Sequence, residues 1–84
     1  MDSVICRSVI DMNSHLKLKN RIKELRQAKG LSQTALAKLA GTTQNTISSL
    51  ETGQYSPTAY LSGLICLALG CKWEECFYYE MSEE

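Results

Sequence analysis

Between positions 44 and 49 the chain carries Gln44, Asn45, Thr46, Ser48 and Ser49, with Ile47 alone among them apolar. Amides and hydroxyls do little acid–base work near neutral pH; they donate and accept hydrogen bonds in fixed directions. A solvent-facing helix surface usually carries Glu, Lys and Arg, and this stretch has none of them. It reads as a face that must hydrogen-bond to something, the plain alternative being ordinary solvent surface. Catalytic constellations are missing: there is one histidine, His15, no acid pair set on a scaffold and no glycine-rich phosphate loop. The chain therefore reads as no enzyme and as needing no cofactor.

Cys66, Cys71 and Cys76 are spaced evenly by five, which matches no zinc-ligand pattern. Together with His15 they would make a Cys3His set. The plainer reading treats each as a small buried apolar residue and expects no metal. Cys6 reads as an exposed free thiol in the N-terminal stretch.

Charge narrows the partners. The chain of 84 residues is formally neutral, with nine basic and nine acidic side chains. Yet residues 15–54 hold Lys17, Lys19, Arg21, Lys23, Arg26, Lys29 and Lys38 against Glu24 and Glu51, a net +5. Residues 55–84 hold Lys72 against Glu74, Glu75, Glu80, Glu83 and Glu84, a net −4. Such asymmetry says more about a partner than the total does. An apolar share of 44% excludes a disordered chain, and no apolar run is long enough to span a membrane. Without a secretory signal, a cytoplasmic location is expected. The length allows one small domain, stable only with a regular helical core or a partner.

The elements that must hold the polar face follow from caps and periodicity. Residues 1–14 read as a loosely ordered leader, with Met12 offering a second start; residues 15–80 form the domain and 81–84 an acidic tail. Leu16 to Lys19 alternates apolar and basic, as a short strand does. Asn20 can cap a first helix over 21–29, with Ile22, Leu25 and Arg26 on one face and Gly30 as its stop. Ser32 caps a second helix over 33–40, with Leu36, Ala37 and Ala40 inward and Gly41 ending it. Thr43 opens a third over 44–51, which buries Ile47 and Leu50. Ser56-Pro57 predicts the start of a fourth helix over 57–69, with Leu61, Ile65, Ala68 and Leu69 as its core stripe and Gly70 as its stop. A short fifth helix over 73–77 and a strand-like Tyr78-Tyr79-Glu80 complete the domain.

Helix, short turn at Gly41, helix is the spacing of a helix-turn-helix. Arg26, Leu31-Ser32-Gln33, Leu36-Ala37, Gly41, the Ile47 to Leu50-Glu51 stretch, Gly53, Pro57 and Ala68-Leu69-Gly70 together resemble the Cro/repressor (lambda-repressor-like, XRE) helix-turn-helix family over about residues 19–80. Gly41-Thr42-Thr43-Gln44 is similar to the start of phage repressor recognition helices. The basic strand and the Phe77-Tyr78-Tyr79-Glu80 end resemble the short dimeric members of the cytolysin-repressor type. The resemblance implies an all-α, five-helix DNA-binding domain, with room for a small terminal β-ribbon, and a homodimer.

It also implies roles. The third helix would lie in the major groove of double-stranded DNA, and Gln44 at its tip could pair with adenine through N6 and N7. Asn45, Thr46, Ser48 and Ser49 would make further base or phosphate contacts, with Thr43 as cap and phosphate ligand. Gln33 would meet phosphate at the start of the second helix and brace Gln44. Thr52, Gln54, Tyr55 and Ser56 would touch the DNA backbone, and Lys38 would bind DNA through its charge. Arg21, Lys23 and Lys29 would add positive field. Arg26 and Glu51 would form a partly buried ion pair that orients the third helix.

The chain departs from the family pattern in three places. Ala35 stands where a glutamate often closes a capping box, and the third helix has no Arg or Lys. Tyr60, Leu64 and Leu67 make an outward apolar stripe where relatives are often polar. With Trp73, Phe77 and Tyr79 they form the candidate dimer surface, the alternative being that the terminal segments cover them. Trp73 taken by itself reads as core. The expected function is a sequence-specific transcriptional regulator, a repressor on a palindromic operator. The competing reading is an antitoxin or other interaction module whose protein partner binds the fourth helix.

Overall fold

The computed structural model describes residues 15–81. The leader, with the Cys6 thiol, and residues 82–84 of the acidic tail lie outside the described residues. In order the elements are β1 (Leu16–Asn20), α1 (Ile22–Ala28), α2 (Gln33–Ala40), α3 (Gln44–Glu51), α4 (Ala59–Leu69), α5 (Trp73–Cys76) and β2 (Phe77–Met81). The fold is thus mostly helical and not purely so, since the two terminal strands pair antiparallel.

Local chemistry sets the boundaries of the middle helices. The Ser32 hydroxyl accepts from the Ala35 N–H (3.0 Å) and opens α2. The Thr43 hydroxyl accepts from the Thr46 N–H (3.2 Å) and opens α3. Each bond satisfies a donor that a helix start would otherwise strand. Gly41, at φ +73°, lies in the left-handed region that a side chain resists, and it turns the chain from α2 into α3.

Several boundaries differ from expectation. The first is at α4, which starts at Ala59 and not at Pro57. Thr58 stays extended, and its hydroxyl accepts from the Leu61 N–H at 3.1 Å; a helix begun at Pro57 would put Thr58 inside the first turn and waste that cap. Arg21, not Asn20, is the residue flanking α1, although the Asn20 side-chain oxygen still accepts from the Ile22 N–H (3.1 Å). Phe77 leaves α5 to pair with Asn20 in the sheet, and the strand runs one residue further than expected, through Met81.

Ile22, Leu36, Ala37, Ala40, Ile47, Leu50, Ile65, Cys66, Leu69, Cys76 and Phe77 form the core. Leu18, Leu25, Leu61, Leu64 and Ala68 pack around it. The small alanine face of α2 lets both α3 and α4 pack closely against it. The sheet register sets Lys17 opposite Glu80 and Leu18 opposite Tyr79, an opposite-charge and an apolar cross-strand pair. The Arg21 guanidinium lies 4.2 Å from the Tyr78 ring centroid, within cation–π range.

Candidate nucleic-acid interface

The polar face is held by a chain of hydrogen bonds that begins in the interior. Arg26 Nε donates to Glu51 Oε2 at 2.7 Å, and a terminal guanidinium nitrogen donates to Oε1 at 3.2 Å. Its other nitrogen donates to the Leu31 carbonyl at 2.9 Å. The two charged side chains are only 10% and 4% exposed. Gln33 Nε2 donates to Glu51 Oε1 at 3.0 Å, and Gln44 Nε2 donates to Gln33 Oε1 at 2.6 Å. The series Arg26, Glu51, Gln33, Gln44 therefore runs from α1 through the end of α3 and the start of α2 to the tip of α3.

Every bond in this series has a forced direction. A guanidinium only donates and an ionised carboxylate only accepts. Gln33 must then turn its NH2 toward Glu51 and its oxygen toward Gln44. Gln44 must in turn spend one N–H on Gln33, which leaves its oxygen and its second N–H free. That is the acceptor–donor pair an adenine edge requires.

The ion pair also sets the charges. Burial works to push the Glu51 carboxyl up, but hydrogen bonds from Arg26 and Gln33, with the Arg26 and Lys23 charges, outweigh it and hold the group below its ordinary value. The same hydrogen bond with Glu51 raises Arg26 against the opposing effect of burial. Both groups stay ionised at neutral pH.

The other expected site residues differ in exposure. Thr43 and Asn45 are exposed, as are Lys38, Thr52, Gln54 and Tyr55, while Ser48 and Ser49 are half-buried. Thr46 is tied into the cap, its hydroxyl 2.9 Å from that of Thr43. The Thr52 hydroxyl donates to the Ser49 carbonyl at 3.2 Å, closing the end of α3. Asn20 adds a support that sequence reasoning missed: its Nδ2 donates to the Leu50 carbonyl at 2.9 Å, tying β1 to the last turn of α3. An asparagine ahead of a helix was the available signal, but it named only the nearer of its two bonds.

The apolar surface is smaller than expected. Tyr60 and Leu67 are 79% and 80% exposed on α4, and Tyr79 is 61% exposed on β2. Leu64 is half-buried against the core. Phe77 does not belong to this surface: it is 1% exposed, because entry into β2 points its ring inward opposite Asn20. Trp73 is not core; it stays part-exposed, stacked on Phe77 with ring centroids 5.3 Å apart and donating its indole N–H to the Ser62 hydroxyl at 3.2 Å.

The cysteines hold a surprise. The Sγ atoms of Cys66, Cys71 and Cys76 all lie within 4.8 Å of one another. His15 is not among them, so the Cys3His set does not assemble in the described residues. Burial, then the neighbouring thiols, push Cys66 up to about 11 and Cys76 up to about 12. The even spacing carried no hint of this convergence, which depends on the corner at Gly70.

Comparison with known proteins agrees with the helix-turn-helix architecture. A helix-turn-helix family profile matches residues 22–76. The chain is 40% identical over 63 residues to an uncharacterized HTH-type transcriptional regulator, YgzD, of Bacillus subtilis (strain 168), covering 75% of this chain and 96% of that one. It is 43% identical over 53 residues to an uncharacterized HTH-type transcriptional regulator of Methanothermobacter thermautotrophicus, covering 63% and 77%. Among solved structures it is similar to the restriction-modification controller protein C.AhdI from Aeromonas hydrophila. That match has a TM-score of 0.63 and 35% identity, over 64% of this chain and 82% of that one. With the turn at Gly41, the capped α3 and the Arg26–Glu51 pair in place, the chain belongs to the Cro/repressor (XRE) type of the helix-turn-helix family.

Proposed function

We propose that the chain is a DNA-binding transcriptional regulator that works as a repressor, a homodimer on a palindromic operator with α3 in the major groove. The observation that carries this reading is the Gln33–Gln44 brace, which aims one acceptor and one donor outward from the helix tip. Residues 15–81 would be the DNA-binding unit. Asn45, Ser48 and Ser49 line the groove-facing side. Thr43, Gln33, Lys38, Thr52, Gln54 and Tyr55 meet phosphates, and Thr46 serves the cap first. Two copies would place their α3 helices about 34 Å apart, one turn of duplex. Regulators are also what the named relatives are called.

Without a cation on α3, affinity per copy is low, because phosphate charge dominates binding. Dimerisation answers that weakness, and the exposed Tyr60, Leu67, Trp73 and Tyr79 supply an apolar surface for it. Leu67→Lys is expected to shift the protein toward monomer in sedimentation while its helical circular dichroism stays unchanged. An unchanged mass would put the dimer surface elsewhere. Leu64 is a poorer choice, since it supports the core.

The direct test is selection of bound duplexes from a random library at physiological salt. Enrichment of an inverted repeat supports sequence-specific binding by a two-fold homodimer. An enriched single half-site removes the dimer, and no enrichment by folded protein favours an interaction module whose partner covers Tyr60 and Leu67.

A further inference from the structure

Three cysteines from the last quarter of the chain, Cys66, Cys71 and Cys76, meet at one corner of the fold. Cys66 sits in the last turn of α4 and is 5% exposed; Cys76 ends α5 and is fully buried; Cys71, between them, is half-buried. The corner is built by Gly70 at φ +68°, where the Cys71 N–H turns back to the Cys66 carbonyl at 3.0 Å. The single turn of α5 then carries Cys76 to the same place. No imidazole or carboxylate joins the cluster among the described residues.

The donor set selects its ligand class. Three sulfurs and no oxygen exclude hard cations such as magnesium and calcium. Thiolates select soft ions. Structural zinc takes four protein ligands, and only three are present. With metal–sulfur bonds near 2.3 Å, three sulfurs around one ion stand about 4 Å apart or slightly less. The present separations, up to 4.8 Å, need only small side-chain rotations to close.

Charge separates the remaining ions. Three thiolates bring three negative charges into a site that is mostly buried, where uncompensated charge is costly. A monovalent copper ion leaves two of those charges unbalanced and zinc leaves one. A trivalent ion leaves none. We propose that Cys66, Cys71 and Cys76 form a three-sulfur site for a trivalent soft metalloid, with arsenite as its soluble form.

The step is a ligand exchange without redox chemistry. Arsenite, As(OH)3, loses three As–O bonds and gains three As–S bonds. Each departing hydroxide takes one thiol proton and leaves as water, and arsenic keeps its oxidation state throughout. Cys71, the most accessible of the three, makes the first bond. The site holds or fails regardless of whether the chain binds DNA.

The test uses the full chain, reduced, in a Cys6→Ser background that removes the fourth cysteine. Titration with sodium arsenite is expected to give one arsenic per chain by native mass spectrometry, with a mass corresponding to loss of three protons from the protein. All three thiols should then be lost to a thiol reagent, and arsenic X-ray absorption should show three sulfur neighbours. Cys71→Ser should weaken uptake by more than the roughly 10–100-fold that follows loss of a mere supporting hydrogen bond to a ligand. Two sulfur neighbours, or a Cys71→Ser protein that binds as tightly, would overturn the proposal. So would zinc or monovalent copper displacing arsenic at equal concentration. The sulfur count is read on the Cys6→Ser protein with all three ligands intact, so it decides the matter even if Cys71→Ser folds poorly.

Discussion

Glu51→Ala is expected to lower folding stability by about 3–5 kcal/mol, because it leaves Arg26 as a buried cation without its carboxylate. A domain of this length is stable by about 4–12 kcal/mol, so the variant should be near its unfolding threshold at 37 °C. The urea midpoint at pH 7 measures this directly. A loss below about 1 kcal/mol would mean that water reaches the guanidinium and that the pair is effectively exposed. The Arg26→Met, Glu51→Leu double replacement removes both charges and should recover much of the loss, since buried pairs often only break even against apolar residues. DNA discrimination should nonetheless stay poor in that variant, because Gln33 no longer has an acceptor to fix its amide.

The same pair gives a pH dependence. The folded-state carboxyl of Glu51 lies below its ordinary value of 4.5. Its contribution is therefore fully present above pH 4.5 and is lost as pH falls through the lower, folded value. Wild type should lose stability in that acid window more steeply than Glu51→Gln, in which the position cannot titrate. Equal slopes would assign acid sensitivity to other carboxylates.

The second large effect concerns reading rather than folding. Gln44→Ala should cost about 1–3 kcal/mol of affinity at the selected site and relax preference for one base pair there. Affinity for unrelated duplex should barely change, since Gln44 carries no charge to release counterions. Equal loss on both would show that Gln44 supports the helix or the backbone and reads nothing. Gln44 is exposed and its single bond runs to Gln33, so the variant should keep its thermal stability within about 0.5 kcal/mol.

The parts of the fold that were legible are those whose chemistry is local. Ser32 and Thr43 cap helices within three residues of themselves, and the bounds of α3 follow from that. The Arg26–Glu51 pair spans α1 and α3, and it was legible through family resemblance rather than through spacing. Ser56-Pro57 misled because two start signals compete within three residues, and the one whose hydroxyl reaches a helix donor wins. Phe77 was misassigned because α5 is a single turn: where it breaks into strand decides whether the ring points in or out. The cysteine cluster was illegible for a related reason. Spacing by five sets successive cysteines about 140° apart around a helix, and only the reversal at Gly70 brings all three together.

The terminal ribbon has a consequence for how the molecule forms. Its paired residues, from Asn20–Phe77 to Leu16–Met81, lie 57 to 65 positions apart. Most of the bonds that define the helices join residues three to five apart. Closing a long loop carries an entropic cost that local turns avoid. The helical hairpins are therefore expected to assemble early and the ribbon to zip up late. Because Phe77 enters the core and the Arg21 N–H reaches the Cys76 carbonyl at 2.7 Å only when the two strands have met, that late event works as a clasp. The two strands, which carry none of the polar helix face, are expected to govern how long the folded state survives.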